Sequence, residues 1–94
     1  MEPKFYIVIS MRTVNGFESL SKFYLGSNKD FAYDIFQKLS GDDNVTQESI
    51  LHMELMETRH ELPLNLNLRC CTLEELGQNC KIIIRELFKY YNLQ

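Results

Sequence analysis

Residues 62–71 read LPLNLNLRCC, with leucine at every second position from 62 to 68 before the run closes on two cysteines. Successive side chains of a β-strand point to opposite faces, so a two-residue period marks a strand with one face buried. The alternation assigns Leu64, Leu66, Leu68 and Cys70 to the core, and Asn65, Asn67, Arg69 and Cys71 to the other side. Such a strand needs partners, and the rest of the chain supplies them.

Just upstream, ILHMELMET alternates Leu51, Met53 and Leu55 against His52, Glu54 and Met56, and Arg59 to Pro63 reads as a turn or irregular link. Near the N-terminus, KFYIVISMRT (4–13) and FESLSKFYLG (17–26) flank Asn15-Gly16, a hairpin signal. A two-residue turn at Asn15-Gly16 would set Ile9 beside Lys22. A three-residue loop, with Gly16 in the left-handed conformation, aligns Phe5 with Leu25, Ile7 with Phe23 and Ile9 with Ser21. On the opposite face it aligns Tyr6 with Tyr24 and Arg12 with Glu18. Only the second register separates an apolar face from a mixed one, and it is the expected one.

Two segments carry helical periodicity. Ser27 followed by Asp30 starts a helix over about residues 28–40, with Phe31, Ala32, Ile35, Phe36 and Leu39 inward and Gly41 as its stop. Thr72 with Glu75 makes a second capping box, opening a helix over 73–91 whose inner stripe is Leu73, Leu76, Cys80, Ile83, Leu87 and Tyr91. Between the first helix and the third strand, GDDNVTQES (41–49) reads as a surface loop.

The fold class is therefore α+β: a two-layer ββαββα domain with a four-stranded, mostly antiparallel sheet and two helices packed on one face. The 94 residues form a single domain, and the order suggests an internal ββα repeat over 4–40 and 50–91, with Ser27 laid on Thr72. A chain of this length has a thin core, burying roughly 60–65% of its unfolded surface.

Composition narrows the classes of function. A net charge of −3 opposes non-specific binding to polyphosphate, and no apolar run approaches the ~20 residues of a membrane span. The short apolar run after Lys4 is broken by Ser10 and Arg12, so it does not read as a leader. The expectation is a cytoplasmic protein whose three cysteines stay reduced.

Candidate chemistry is sparse. Cys70 and Cys71 point opposite ways on a strand and cannot share a metal, and Cys80, His52 and His60 complete no zinc spacing. No metal or other cofactor is expected. Cys71, just before the cap of the second helix, is a candidate reactive thiol, because a helix N-terminus lowers a thiol's pKa. Glu74 and Glu75 oppose that effect. Glu54, Glu57 and Glu61 read as solubilising charge rather than an acid–base pair, and no phosphate loop, serine elbow or HExxH is present. The chain reads as non-catalytic.

What remains is a surface. The sheet face away from the helices would carry Lys4, Tyr6, Val8, Arg12, Glu18, Leu20, Lys22, Tyr24, His52, Glu54, Met56, Asn65, Asn67 and Arg69. From these, Tyr6, Val8, Lys22, Tyr24, His52, Met56, Asn65, Asn67 and Arg69 are the candidate interaction surface. Its apolar content points to a protein-interaction module, a homodimer in the simplest case. The additional apolar residues Ile82, Ile84, Phe88 and Tyr90 give the second helix a similar potential. An alternative is a single-stranded nucleic-acid-binding sheet, in which tyrosines stack bases and cations meet phosphate. The acidic total and the lack of a ribonucleoprotein-type aromatic cluster count against it. A cysteine-dependent enzyme or redox sensor using Cys71 is the third reading.

Overall fold

The computed structural model describes residues 2–92. Its elements are β1 (Lys4–Thr13), β2 (Gly16–Gly26), α1 (Lys29–Lys38), β3 (Leu51–Arg59), β4 (Leu62–Cys71) and α2 (Leu73–Tyr90). The four strands form one antiparallel sheet in the order β2-β1-β3-β4. The first strand of each ββα unit is central and the second is an edge. The expected α+β class and element order are those observed.

Both helices lie on one side of the sheet. Phe5, Ile7, Ile9, Leu25, Met53 and Leu55 pack there against Ala32, Ile35, Phe36 and Leu39 of α1 and its C-terminus, and against Ile83 of α2. Fully burying one such side chain contributes about 1.5–3 kcal/mol. The shortest extent of the molecule is 20 Å, which fits one sheet and one helix layer about 10 Å apart.

Local chemistry explains the helix ends. Asn28, rather than Ser27, caps α1 by accepting from the Phe31 N–H. At α2 the expected capping box is complete, with Thr72 and Glu75 each bonding the other's backbone. Along α2 the inner face is Leu76, Asn79, Cys80, Ile83 and Leu87. Leu73 is 76% exposed and Tyr91 53% exposed, so both expected ends of the stripe fall outside it.

The hairpins are tighter than expected. Val14 and Asn15 form the β1–β2 turn, with Gly16 opening β2 at φ +105°, as its proposed left-handed role requires. His60 and Glu61 form the β3–β4 turn, both at positive φ (52° and 66°), the conformation of a type I′ turn.

Three bulges set which residues face the helices. In each, a leucine is the extra residue: Leu20 and Leu25 in β2, and Leu66 in β4. The central pairs Tyr6–Tyr24, Ile7–Phe23 and Ile9–Ser21 are as expected. Beyond Leu20, however, Arg12 lies opposite Phe17 and not Glu18, and beyond Leu25 Phe5 lies opposite Gly26 and not Leu25.

The bulge at Leu66 matters most. Before it, Asn65 lies opposite Met56; after it, Asn67, Arg69 and Cys71 lie opposite the inward Leu55, Met53 and Leu51. One inserted residue reverses the phase of the alternation. Asn67, Arg69 and Cys71 therefore face the helices, while Leu68 and Cys70 face away, opposite to the simple alternation.

The reversed phase brings Arg69 to the C-terminus of α1, whose last carbonyls need donors. Arg69 donates from one guanidinium nitrogen to the carbonyls of Phe36 (3.1 Å) and Leu39 (2.8 Å), and from Nε to Asp43 (2.8 Å). Its guanidinium also lies over the Phe36 ring, 5.0 Å from the centroid. Asp42 then pairs with Cys70 through two backbone hydrogen bonds, covering that part of the β4 edge.

Gly41 is required where this segment crosses β4. A Cβ there would collide with the Cys70 carbonyl oxygen and lie 2.8 Å from Arg69 Cγ. Gly41→Ala is expected to lower unfolding free energy by about 1–3 kcal/mol, the range for overpacking, read from the urea midpoint.

Candidate interaction face

The side of the sheet without helices is built from three central rows of cross-strand neighbours. Tyr24, Tyr6, Met56 and Asn65 form one; Lys22, Val8, Glu54 and Leu68 the next; Ser19, Ser10, His52 and Cys70 the third. Beyond the third row, Phe17 and Arg12 are paired at the turn end of β1.

Of the expected surface residues, the structure brings together Tyr6, Val8, Lys22, Tyr24, His52, Met56 and Asn65. It removes Asn67 and Arg69 to the helix side, for the reason given above, and Glu18 goes with them, opposite Met11. Phe17, Leu68 and Cys70 join the face. The reading from sequence missed all three because each is separated by a leucine bulge, Leu20 for Phe17 and Leu66 for Leu68 and Cys70, from the part of its strand where the expected alternation holds.

The face is more apolar than the alternation suggested. Phe17 is 50% exposed and Tyr24 64% exposed, whereas Tyr6 is buried beneath its neighbours. The Tyr6 and Tyr24 rings are 5.9 Å apart, and Lys22 Nζ lies 5.1 Å from the Tyr6 ring centroid. At the other end, Phe17 covers His52 at 4.6 Å between centroids, and Arg12 lies 5.5 Å from the Phe17 ring. His52 Nε2 is buried there with no hydrogen-bond partner among the described residues. Asn65 donates to Glu54 at 2.8 Å, holding the carboxylate in the middle of the face.

Charge is unevenly distributed. Lys4, Arg12 and Lys22 belong to the β1–β2 half, and Glu54 to β3. The face is thus a cationic part of an acidic chain, whose net charge is −3.

Other candidate groups have structural partners. Glu57, which faces the helix side, is buried and takes a bidentate pair from Arg59 at 3.1 Å, so it is not a solubilising surface charge. Cys71 is half-buried against the core, beside a shallow cleft lined by Met11, Ile50, Leu51 and Leu73. Burial pushes its thiol up to about 11, and Glu75, Cys70 and Cys80 push the same way. This shift opposes the lowering expected for a thiol at a helix N-terminus.

With 9.0 as the ordinary value, Cys71 carries about a hundredfold less thiolate at neutral pH than a free cysteine. Alkylation by iodoacetamide, followed by peptide mass mapping, is expected to be slow at Cys71 at pH 7.5. Its rate should climb until pH approaches 11. Titration near the ordinary thiol value would contradict this placement. No cluster of three or more His, Cys, Asp or Glu able to hold a metal occurs among the described residues, and no helix among them is long and apolar enough to cross a membrane.

Comparisons with protein-family models, curated proteins and solved structures found no match to this chain.

On α2, Ile84 and Phe88 are exposed, while Tyr90 stacks on Phe31 at 3.9 Å and Ile82 packs against the core. Two of the four additional apolar residues on the helix are thus accounted for by packing within the chain.

Proposed function

We propose that this protein is a non-catalytic interaction module that associates with itself through the uncovered face of its sheet. The observation that carries the reading is the cluster of Tyr24, Val8, Met56 and Leu68, with Phe17 beyond the Ser19–His52 row, on a face that no helix among the described residues covers. Large apolar patches rimmed by polar groups characterise binding surfaces. Aromatic residues and methionine are the side chains enriched in the cores of such interfaces. The three free thiols suit a reducing compartment, in keeping with a cytoplasmic protein.

The test is a concentration series of amide and methyl NMR spectra. Shifts that grow with concentration at Val8, Tyr24 and Met56 support the reading. Shifts confined to Ile84 and Phe88 would move the interface to α2.

A second reading, single-stranded nucleic-acid binding, draws support from Lys4, Arg12 and Lys22 beside exposed aromatic rings. Fluorescence anisotropy with labelled oligo(dT) at low salt tests it. A titration with no change rejects it.

A further inference from the structure

Resting on the self-association reading, we infer that the occupant of the sheet face is a second copy placed by a two-fold axis running along β1, pairing Lys22 of each copy with the partner's Glu54. The rows across the face decide this. In the central row Lys22, Val8, Glu54 and Leu68 follow one another from β2 to β4. An axis between two facing sheets and parallel to β1 superposes Val8 on the partner's Val8. It sets Lys22 over the partner's Glu54 and Glu54 over the partner's Lys22.

The next row obeys the same operation. Tyr24 comes over the partner's Met56 and Met56 over the partner's Tyr24, with Tyr6 of each copy buried beneath its own neighbours near the axis. An aromatic ring against a thioether is a favourable contact.

Two other two-fold axes fail on charge. An axis across the strands, through the Val8 row, would set Lys22 over the partner's Lys22 and Glu54 over the partner's Glu54. An axis moved to lie between β1 and β3 would set Lys22 over the partner's Leu68 and bury Glu54 against the partner's Val8, leaving both charges unpaired. Of these three axes, the one on β1 alone pairs each charge with its opposite, giving the self-complementarity that a two-fold interface needs.

Packed sheets lie about 10 Å apart, a gap that a lysine and a glutamate side chain can close between them. Aligned sheets also cross at about 30°. The crossing keeps the centre of β1 superposed and swings its ends apart, so that Lys4 and Arg12 diverge from their own symmetry mates.

The area is sufficient for a reversible dimer. Three overlapping strands of about ten residues span roughly 500 Å² in projection, below the ~800 Å² per partner of a standard interface. Association at the weak end of the usual range, on the order of micromolar, is expected.

The test is a charge exchange followed by native mass spectrometry and light scattering. Lys22→Glu and Glu54→Lys are each expected to weaken the wild-type dimer at least tenfold. An equimolar mixture of the two variants should form a heterodimer, because each introduced charge then faces its opposite. One chain carrying both substitutions should again form a homodimer. Heterodimer formation by the mixture also shows that the single variants are folded. A wild-type dimer indifferent to both substitutions would overturn the two-fold while leaving self-association standing. A wild-type chain that stays monomeric at millimolar concentration overturns the inference together with the reading beneath it. The inference is likewise overturned if the monomer binds oligo(dT) and Lys22→Glu abolishes that binding.

Discussion

Asn79→Ala is expected to lower the unfolding free energy by about 2–4 kcal/mol, the sum of a small cavity and backbone groups left without a partner. Asn79 has no exposed surface, although it is a polar residue on the inner face of α2. Its amide oxygen accepts from the Ser40 N–H and its Nδ2 donates to the Ser40 carbonyl, each at 2.8 Å. The side chain thus acts as a peptide unit would, closing a two-bond ladder with the segment that leaves α1. Nδ2 also lies 3.1 Å from Met53 Sδ.

Asn79→Asp makes the same prediction sharper. It keeps the acceptor for the Ser40 N–H, but it places a carboxylate against the Ser40 carbonyl in a buried site. It should therefore be at least as damaging as the alanine variant, despite its nearly identical volume. Urea unfolding followed by far-ultraviolet circular dichroism measures both.

Arg69→Ala is expected to cost about 2–3 kcal/mol. It strips two donors from the carbonyls of Phe36 and Leu39 and exposes the Phe36 ring that the guanidinium covers. Arg69→Met should recover the packing of the stem but not the cap, and should fall between alanine and wild type. If Arg69 projected from the open face of the sheet, both substitutions would stay within about 0.5 kcal/mol of wild type. The same urea series therefore also tests the bulge at Leu66.

These two residues mark the limit of what the sequence makes legible. Hairpins, caps and inward apolar residues depend on neighbours within a few positions, and the Thr72–Glu75 box and the Gly16 turn could be read directly. Arg69 and Asn79 depend on partners 30 to 39 residues away. Asn79 interrupts an otherwise apolar stripe, the sole local sign that the position is special. The bulge left no such sign, because the residue inserted into LPLNLNLRCC is itself a leucine and the alternation continues on either side of it.

The candidate face was legible in its centre and not at its margins. Tyr6, Val8, Lys22, Tyr24, His52 and Met56 lie between bulges, where the expected register holds. Asn67, Arg69 and Glu18 lie beyond them, where one residue of slip exchanges the faces. The exchange replaced two polar residues and a carboxylate by Leu68, Cys70 and Phe17, so the uncovered face is better suited to burial than the alternation implied.

Sedimentation equilibrium of the unmodified chain from about 0.1 μM to 1 mM, spanning the expected dissociation constant, measures self-association through that face. A chain of 11.1 kDa that pairs through one two-fold face should show a weight-average mass rising with concentration and levelling at 22.2 kDa, twice the chain mass. A mass that stays at 11.1 kDa across the whole range would contradict it.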